Sequence, residues 1–297
     1  MKPNAYMNSV LERLETERKI KPITAHNYMQ FVYKLNGSAN FDDLSFLGDR
    51  EKVNVYLTKY ALSSRRQAIV SCVALLSLYK EELPEIYAQY YQEMMAPKEA
   101  TTGRTEKQKD NWMEWPEVVE IQQKFKPASD CVDWNKWLDY LVVSLYVLFP
   151  PRRNEYQMMK VAKNDECAQD PNFNYIVIST QKFVFHQYKT AGTYGTQTYD
   201  IPAPLINVLF QALEHHPCDY TTKAQFLLVR KDGSEFTTIN SLTRILNRIF
   251  GNNVGSTMLR HIYITHRYGT AKKEMKKDAT AMGHSVSVQQ NVYNLPF

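Results

Sequence analysis

A polar segment interrupts the chain at residues 96–111, APKEATTGRTEKQKDN, where almost every side chain is small, charged or hydrophilic. Such a stretch has too little apolar surface to enter a core, and its Pro, Gly and Thr content is typical of a connection between domains. A single hydrophobic core that continues through residues 96–111 is therefore excluded. We predict a domain at 1–97, a linker at 98–111 and a second domain at 112–297.

The first domain is predicted to be helical. In TAHNYMQFVYKLNG, apolar side chains recur at the spacing of one helix face, Thr24 is the predicted N-cap and Gly37 stands where a terminal glycine is wanted. A second helix is predicted in SSRRQAIVSCVALLSLYKEEL, with Arg65 and Arg66 in its first turn. Two interpretations of these arginines stay open: a solvated helix face, or a helix start presented to a phosphate backbone.

The second domain changes from helices to strands and back to helices. Helices are predicted at 115–125 and 134–149, and the latter ends at Pro150 and Pro151. Three short runs rich in β-branched and aromatic residues follow, NYIVIS, KFVFHQY and GTQTYDIP, which predict a small antiparallel sheet. Helical patterns resume from Leu205. The predicted fold class is mainly α with a small antiparallel β-sheet (α+β).

Composition excludes several classes of protein. No run approaches the roughly 18 consecutive apolar residues of a membrane helix, and the N-terminus lacks the apolar core of a secretory signal, so we expect an intracellular protein. The four cysteines show neither C-x-x-C nor metal-ligand spacing, which argues against a disulfide framework and a zinc site. The net charge is only +5, yet residues 244–277 hold eight Lys or Arg and one acid, Glu274, which indicates a polyanionic partner.

Four separated stretches carry residues suited to phosphate chemistry. They are, in chain order, PPRRNEY with Arg152 and Glu155, QYKTAGTYGTQ with Lys189, TMLRHIYITHRYG with Arg260, and MGHSVSVQQNVYNLPF with His284 and Tyr293. Arg152 and Glu155, three positions apart, are predicted on one face of a helix's first turn, and Lys189 at the tip between two strands. Each has a structural interpretation when taken alone: a helical ion pair, a solvated lysine, an arginine paired with a carboxylate, or an aromatic residue at a chain end.

The order of these residues resembles the catalytic domain of the tyrosine recombinases, also called phage-type integrases. The resemblance is carried by an Arg with a Glu three later, a hairpin Lys, Leu-Arg-His, Gly-His-Ser, and a Tyr nine positions after that His. It covers nearly the whole chain, because this family places a helical core-binding (DNA-clamping) domain and a linker before the catalytic domain. RTEKQKDNW and YKTAGTYGTQ also resemble recombinases of large eukaryotic DNA viruses and virophages, which implies a virus or a related mobile element as the source.

The resemblance implies a site-specific recombinase or integrase that breaks and rejoins DNA. Arg152 and Arg260 would grip the non-bridging oxygens of a phosphodiester and remain charged at any working pH. Tyr293 would attack the phosphorus and form a 3′-phosphotyrosyl intermediate. Lys189 would protonate the leaving 5′-oxygen as general acid, and His284 would donate a hydrogen bond to a non-bridging oxygen.

The same resemblance implies the partners of the chain. No metal, nucleotide or other cofactor is implied, because the phosphotyrosyl bond retains the energy for rejoining. The partner would be a double-stranded DNA recombination site, held in a C-shaped clamp by a homotetramer on two sites. Host nucleus, viral factory and bacterial cytoplasm stay open as compartments, as do integration, excision or resolution, and delivery of Tyr293 in cis or in trans.

One position departs from the family pattern. The usual motif is His-x-x-Arg, whereas Thr257 stands three residues before Arg260, which puts the acid/base assignment in doubt. Supporting roles are assigned to Glu155, Thr257 and His261, and Lys182 is the alternative general acid. Further DNA contacts are predicted for a set of basic residues: Arg65, Arg66, Arg104, Lys107, Arg244, Arg248 and Arg267.

Other functions remain open at this point. A type IB topoisomerase-like or telomere-resolving enzyme would use the same residues with a different outcome. A catalytically idle, architectural DNA-binding protein would keep the fold without the reaction. A helical scaffold for other proteins would leave the basic residues at 244–277 unexplained.

Overall fold

The computed structural model describes residues 1–96, 103–238, 240–251 and 253–286, apart from the side chain of Ser63. The chain divides into two compact units, Met1–Thr102 and Gly103–Phe297. Residues 98–102 of the predicted linker lie outside the described residues. Within the described ranges, no helix is long and apolar enough to cross a membrane.

The first unit is built from α-helices around one apolar core. Its elements are α1 (Ala5–Thr16), α2 (Pro22–Leu35), a 3-10 turn (Ser45–Gly48), α3 (Arg50–Leu57), α4 (Leu62–Leu76) and α5 (Pro84–Met95). Met7, Leu14, Met29 and Leu44 are fully buried in this core. Removing each such side chain from water contributes about 1.5–3 kcal/mol, which holds the short helices together.

Helix α2 begins earlier than the sequence predicts. Pro22 occupies its first turn, where the missing N–H has no helical partner to lose, and Lys21 is the N-cap, so Thr24 lies inside the helix. Gly37 follows the helix with a φ of 67°, and a Cβ at that position would lie 2.7 Å from the Tyr56 hydroxyl. The predicted terminal glycine is confirmed, and the predicted cap at Thr24 is wrong.

The second unit packs helices against a small sheet. Its helices are α6 (Glu106–Asp110), α7 (Trp115–Lys124), α8 (Trp134–Val147), α9 (Ala191–Tyr194), α10 (Ala203–Leu213), α11 (Ser241–Phe250) and α12 (Ser256–Ala281). Helix α8 is the centre of the core, because apolar side chains all around it are buried, as at Leu141, Val142 and Leu145. The short α6 falls within the segment predicted as linker and begins with a capping box between Thr105 and Gln108.

The sheet has five strands in the order β4-β3-β2-β1-β5. They are β1 (Met159–Ala162), β2 (Asn174–Val177), β3 (Lys182–Phe185), β4 (Gln197–Asp200) and β5 (Gln225–Phe226). β2, β3 and β4 pair antiparallel, as predicted from NYIVIS, KFVFHQY and GTQTYDIP. β1 pairs parallel to β2, with Val161 opposite Ile176, and antiparallel to β5. The sheet is therefore mixed, and the prediction of a purely antiparallel sheet is wrong.

The helix predicted to begin at PPRRNEY does not form. Residues 150–158 make turns that lead directly into β1. Two buried tyrosines hold the turns: the Tyr146 hydroxyl donates to the Arg153 carbonyl at 2.7 Å, and the Tyr156 hydroxyl donates to the Leu145 carbonyl at 3.4 Å. Burial of the Tyr156 ring against Tyr146 of α8 outweighs the local helical preference of the segment.

Candidate active site

An open cavity of about 520 Å³ in the second unit is lined by three of the predicted catalytic cations. Arg152 comes from the turn that follows α8, Lys189 from the connection between β3 and β4, and Arg260 from the second turn of α12. The fold thus brings together residues from three separate stretches of the sequence. Arg153 and Glu155 also line this cavity, which is called the cation cavity below.

The guanidinium of Arg152 is held by aromatic rings. Its Cζ atom lies 4.1 Å from the ring centroid of Phe185, 5.4 Å from that of Tyr188 and 5.9 Å from that of Tyr199. Its Nε and Nη2 atoms are buried and have no hydrogen-bond acceptor among the described residues. Glu155 Oε2 is likewise buried without a partner there, and the helical ion pair that one interpretation of the sequence offered is not formed. Arg152 therefore keeps buried donors for an external acceptor.

The charge of the cavity wall is strongly positive. Four cations line it, Arg152, Arg153, Lys189 and Arg260, against one carboxylate, Glu155. None of these four cations forms an ion pair with a described residue. Low-dielectric walls strengthen the attraction of such a cluster for an anion. The site is suited to a phosphate group, since guanidinium donors match its oxygens.

Asn174 positions the lysine connection against the arginine turn. Its buried amide donates to the Gln187 carbonyl at 2.9 Å and to the Glu155 carbonyl at 3.2 Å, and its oxygen accepts from the Gln187 N–H at 2.7 Å. Gln187 lies two residues before Lys189. Asn174 was not predicted as a site residue, because its only signal in the sequence is an amide side chain at the head of an otherwise apolar strand.

A second polar contact joins the arginine turn to α12. The Ser256 hydroxyl donates to Asn154 Oδ1 at 3.2 Å, and Ser256 is itself buried at the start of the helix. Arg260 lies about one helical turn further on, so this contact sets its position relative to Arg152. Neither polar residue was predicted, because their partners are far apart in sequence.

Two fully buried tyrosines, one on α8 and one in the turn that follows it, are excluded as nucleophiles because a substrate cannot reach them. Burial raises the pKa values of the Tyr146 and Tyr156 phenols well above their usual range, and the nearby Glu155 carboxylate adds to the shift. Both hydroxyls also donate to backbone carbonyls. Tyr293, the nucleophile that the family resemblance implies, lies outside the described residues.

His284 is not brought to the cation cavity. Helix α12 continues without a break to Ala281, which places its end about 30 Å along the axis from Arg260 at about 1.5 Å per residue. His284 follows that end, where its backbone N–H donates to the Ala279 carbonyl at 3.0 Å. A shared phosphate contact with Arg260 is not possible while α12 is continuous.

Of the three supporting residues, Glu155 lines the cation cavity, whereas Thr257 and His261 line cavities beside it. Thr257 lines a neighbouring cavity of about 500 Å³, together with Lys189 and Glu155. It also lines a third cavity, of about 460 Å³, with His261. Lys182 lies at the start of β3 opposite Asp200, and it lines none of these three cavities.

Two of the arginines predicted to contact DNA hold helix ends in the first unit. Arg65 donates from Nε to the Tyr60 carbonyl at 2.9 Å and from Nη2 to the Thr58 carbonyl at 3.0 Å. Arg66 donates from Nη2 to the Met94 carbonyl at 2.8 Å. These bonds satisfy carbonyl groups left over at helix C-termini. Both side chains have a structural role, and their contact with DNA stays a prediction.

The basic residues predicted near the start of the second unit differ in their surroundings. The Cζ atom of Arg104 lies 3.4 Å from the Trp112 ring centroid, and Nη2 lies 3.9 Å from Glu114. Lys107 lines the third cavity, beside Thr257. Of Arg104 and Lys107, only Lys107 therefore lines one of the three cavities described above.

The predicted DNA-contacting arginines of α11 and α12 are largely exposed. Arg248 forms an ion pair with Asp139, a carboxylate whose pKa burial raises although the guanidinium opposes the shift. Arg244 is exposed on the same helix. Arg267 is exposed on α12, where its Nη1 donates to the Tyr263 hydroxyl at 3.4 Å. Their contact with DNA stays a prediction.

Among the described residues, no group of three or more His, Cys, Asp or Glu side chains could hold a metal ion. The four cysteines, Cys72, Cys131, Cys167 and Cys218, are free thiols.

Comparison with known proteins establishes neither a family nor a fold for the chain. No family model matches the chain, and no curated protein matches it. A solved structure described as that of XerA recombinase aligns with 98% of this chain and 93% of its own, at 15% sequence identity and a TM-score of 0.36. These values are too low to establish a shared fold, so the interpretation of the cation cavity rests on its own geometry.

Proposed function

We propose that the chain is a site-specific DNA recombinase or integrase, which cleaves and rejoins DNA through a 3′-phosphotyrosyl intermediate on Tyr293. The observation that carries the proposal is the guanidinium of Arg152. Its buried Nε and Nη2 have no acceptor among the described residues, and Lys189 and Arg260 line the same cavity. Burying donors in this way is costly unless an anion accepts from them, and a phosphodiester is such an anion.

The proposed reaction uses the cation cavity to stabilise charge. A phosphodiester repels nucleophiles and gains charge on its non-bridging oxygens in the pentavalent transition state, which Arg152 and Arg260 offset. The Tyr293 oxygen forms a bond to phosphorus as the bond from phosphorus to the 5′-oxygen breaks. Religation reverses these two changes with the 5′-hydroxyl of a second strand, so the linkage needs no external energy source.

Lys189 is the proposed general acid. The 5′-oxygen is a poor leaving group unless it receives a proton as it departs. Lys189 lies on the wall that also carries both arginines, whereas Lys182 does not line the cavity. The geometry therefore favours Lys189 over the alternative.

The proposal extends to assembly, which rests on the family resemblance alone. A homotetramer on two double-stranded sites would exchange strands between them.

His284 enters the proposed site only when α12 is interrupted between Arg260 and its C-terminal end. Glu155, buried beside Arg152, is proposed to orient that arginine rather than to transfer a proton.

Covalent capture tests the reaction. A pool of nicked duplexes with random sequence around the nick is incubated with the native chain, because a short fragment released at the nick prevents religation. Protein that remains linked to DNA under denaturing conditions is isolated, and the DNA is sequenced. We expect an adduct with the native chain and none with Tyr293→Phe. An adduct that persists in Tyr293→Phe would contradict the assigned nucleophile.

The rival functions give different products with the captured sequence. Exchange of flanking markers between two copies of that sequence is the expected result for a recombinase. A topoisomerase-like enzyme would relax supercoiled DNA without exchange, and a telomere resolvase would leave closed hairpin ends. Tight binding with no adduct from any sequence would instead identify an architectural DNA-binding protein.

A further inference from the structure

Tyrosine side chains form much of the rim of the cation cavity. Five tyrosines line it, at positions 188, 194, 199, 263 and 268. Tyr194 is 68% exposed, Tyr268 53% and Tyr199 38%. Single exposed aromatic residues are ordinary on protein surfaces, but this group surrounds one cluster of cations.

The five rings fall into two kinds by their contacts. Three are held by neighbours: the Tyr188 hydroxyl donates to the Gly195 carbonyl at 2.7 Å, Tyr199 packs edge-on against Phe149 at 5.9 Å and Tyr263 packs edge-on against Trp115 at 5.2 Å between centroids. The Tyr194 side chain has no hydrogen bond, ion pair or ring contact with a described residue. Tyr268 interacts only with the neighbouring Arg267, whose guanidinium lies 5.8 Å from the ring centroid and also forms a hydrogen bond with the tyrosine side chain. Tyr194 therefore presents an open aromatic ring, and Tyr268 presents the ring face that Arg267 does not cover.

These faces come from two different elements. Tyr194 ends α9 in the β3–β4 connection, which also carries Lys189. Tyr268 lies two turns after Arg260 on α12, so the two side chains share one face of that helix. Each open ring thus accompanies one of the proposed phosphate-binding cations on its own element.

The size of the cation cavity exceeds what a phosphate group requires. Its volume of about 520 Å³ falls within the roughly 300–1,000 Å³ of pockets that hold drug-sized ligands. A nucleotide combines a phosphate for the cations with a flat base for the rings, and base–aromatic stacking tolerates any sequence. In an intact duplex both faces of each base are covered by its neighbours in the stack. A tyrosine ring can reach a base face only where the base has left the stack.

We propose that Tyr194 and Tyr268 bind the face of a nucleobase that is unstacked beside the phosphate held by Arg152 and Arg260. The inference rests on the proposed function, because it requires that the cation cavity holds a DNA phosphate. The ligand class is a nucleotide at a bulge, a mismatch or a single-stranded junction. Unpaired bases are the cheapest to extrude, so such sites are preferred over continuous duplex.

Two matched DNA probes test this inference on the full chain. One is a short duplex with a single unpaired 2-aminopurine, and the other is the same duplex with that base paired. We expect the native protein to bind the bulged duplex about tenfold more tightly and to change the 2-aminopurine fluorescence. Equal affinities for the two duplexes would overturn the inference.

Substitutions separate stacking from other effects of the rings. The double variant Tyr194→Leu/Tyr268→Leu should lose the preference for the bulge, whereas Tyr194→Phe/Tyr268→Phe should keep it, since phenylalanine retains the stacking face. Phe210→Leu is the control, because Phe210 is 40% exposed on α10 and does not line the cavity. A leucine double variant that keeps the full preference would overturn the assignment of these two rings.

Arg152→Met distinguishes failure of the inference from failure of the proposed function. The variant should weaken binding of both duplexes, because both present a phosphate. If it weakens both while the native chain shows no preference for the bulge, the inference alone is wrong. If it weakens neither, the cavity does not hold DNA phosphate, and the proposed function and the inference are both wrong.

Discussion

The guanidinium of Arg152 lies over Phe185 with two buried donors that no described residue accepts. An unpaired buried donor costs about 1–3 kcal/mol, while a cation over an aromatic ring contributes about 0.5–2 kcal/mol. The two donors together cost more than the ring contributes, so the arginine does not stabilise the unliganded chain. Binding of an anion explains this residue at this position better than stability does.

Arg152→Met should separate binding from stability. Methionine keeps an apolar stem against Phe185 and removes the unpaired donors, so the free energy of unfolding should equal or exceed the native value. Inorganic phosphate at about ten times its Kd should stabilise the native chain by about 1.4 kcal/mol and leave the variant unaffected. Thermal unfolding with and without phosphate measures both quantities.

The control for this measurement is Arg244→Met, which removes an exposed arginine of α11. It should retain the phosphate-dependent rise in Tm, because Arg244 does not line the cation cavity. Equal stabilisation of the native chain and Arg152→Met by phosphate would contradict the anion site.

Asn174→Ala should act on the reaction through Lys189. The substitution removes three partly buried hydrogen bonds, two with Gln187 and one with Glu155, at a cost of roughly 2–4 kcal/mol. The lysine connection then loses its anchor, and adduct formation should slow. A substrate with sulfur in place of the leaving 5′-oxygen needs no protonation, so it should restore the rate, as it should for Lys189→Ala.

Gln157→Ala is the matched control for that rescue. Gln157 also makes shielded hydrogen bonds, donating to the Thr238 carbonyl at 2.8 Å in a partly buried bond and accepting from the Leu242 N–H at 3.3 Å in a buried one, but it does not anchor the lysine connection. Loss of the Gln157 side chain should destabilise the second unit. The substrate with sulfur in place of the leaving 5′-oxygen should not restore the rate of adduct formation in this variant. A lack of rescue in Asn174→Ala would assign the effect to general instability.

The cations of the candidate site could be predicted from the sequence, but the groups that hold them could not. Arg152, Lys189 and Arg260 stand out because charged residues follow a proline pair, a hairpin turn and an apolar helix pattern. Asn174 looks like a turn residue until β2 is placed beside the lysine connection. Tyr194 is one tyrosine among twenty in the sequence, and only the cavity distinguishes it from the others.

At the scale of elements, α12 is a long helix with a short packed segment. Leu259 and Ile262 are buried near its start and Ala279 near its end, whereas residues 264–268 and 270–274 between them are exposed, with His266 stacked on Trp115. A helical segment with so little packing is marginal in water, and Gly269 in its interior costs about 0.5–1 kcal/mol relative to alanine. The helix is therefore weakest between Arg260 and His284, where the family-derived role of His284 requires a break.

Gly269→Ala should stabilise the continuous helix. A Cβ there would meet only Thr265 Cγ2, at 3.7 Å, an ordinary contact, so helix stability should rise by about 0.5–1 kcal/mol. A continuous helix keeps His284 away from Arg260, so adduct formation should slow while DNA affinity stays within about twofold. Far-ultraviolet circular dichroism and the rate of covalent capture measure the two effects.

A compensating variant controls this experiment. Gly269→Ala/Ala271→Gly returns one glycine to the exposed part of α12, so it should recover the native helicity and the native rate. An unchanged rate in the single variant would contradict a break at Gly269.

Helices and strands with a clear local pattern could be predicted from the sequence more readily than short strands without one. The predicted helix at 134–149 corresponds to α8, because its apolar pattern and the following proline pair both act locally. β5 was missed, since two residues are too few for a periodic pattern to register. β1 is as long as the strands that were predicted, but its sequence MKVA holds a single β-branched residue, Val161. The parallel pairing of β1 with β2 depends on the route of the chain through 163–173, which no local pattern encodes.

For the whole molecule, the distribution of charge matters more than the total of +5. Beyond the cation cavity, the far part of α12 carries four exposed lysines, at positions 272, 273, 276 and 277, beside the exposed carboxylates Glu274 and Asp278. Salt weakens the interaction between any two exposed charges on a helix, but several lysines together still attract a polyanion. A long DNA that contacts them would release counterions from its backbone.

Replacing these four lysines with glutamine should lower the salt dependence of DNA affinity. Each neutralised phosphate contributes about 0.9 to the slope of log affinity against log salt, so the slope should fall by about 3–4 if all four contact the backbone. The control replaces four other exposed lysines of the same unit, Lys124, Lys126, Lys136 and Lys163. Equal losses of slope in both variants would show that charge alone sets the affinity. A loss confined to the first variant would place the DNA backbone along α12, on the helix that also carries Arg260.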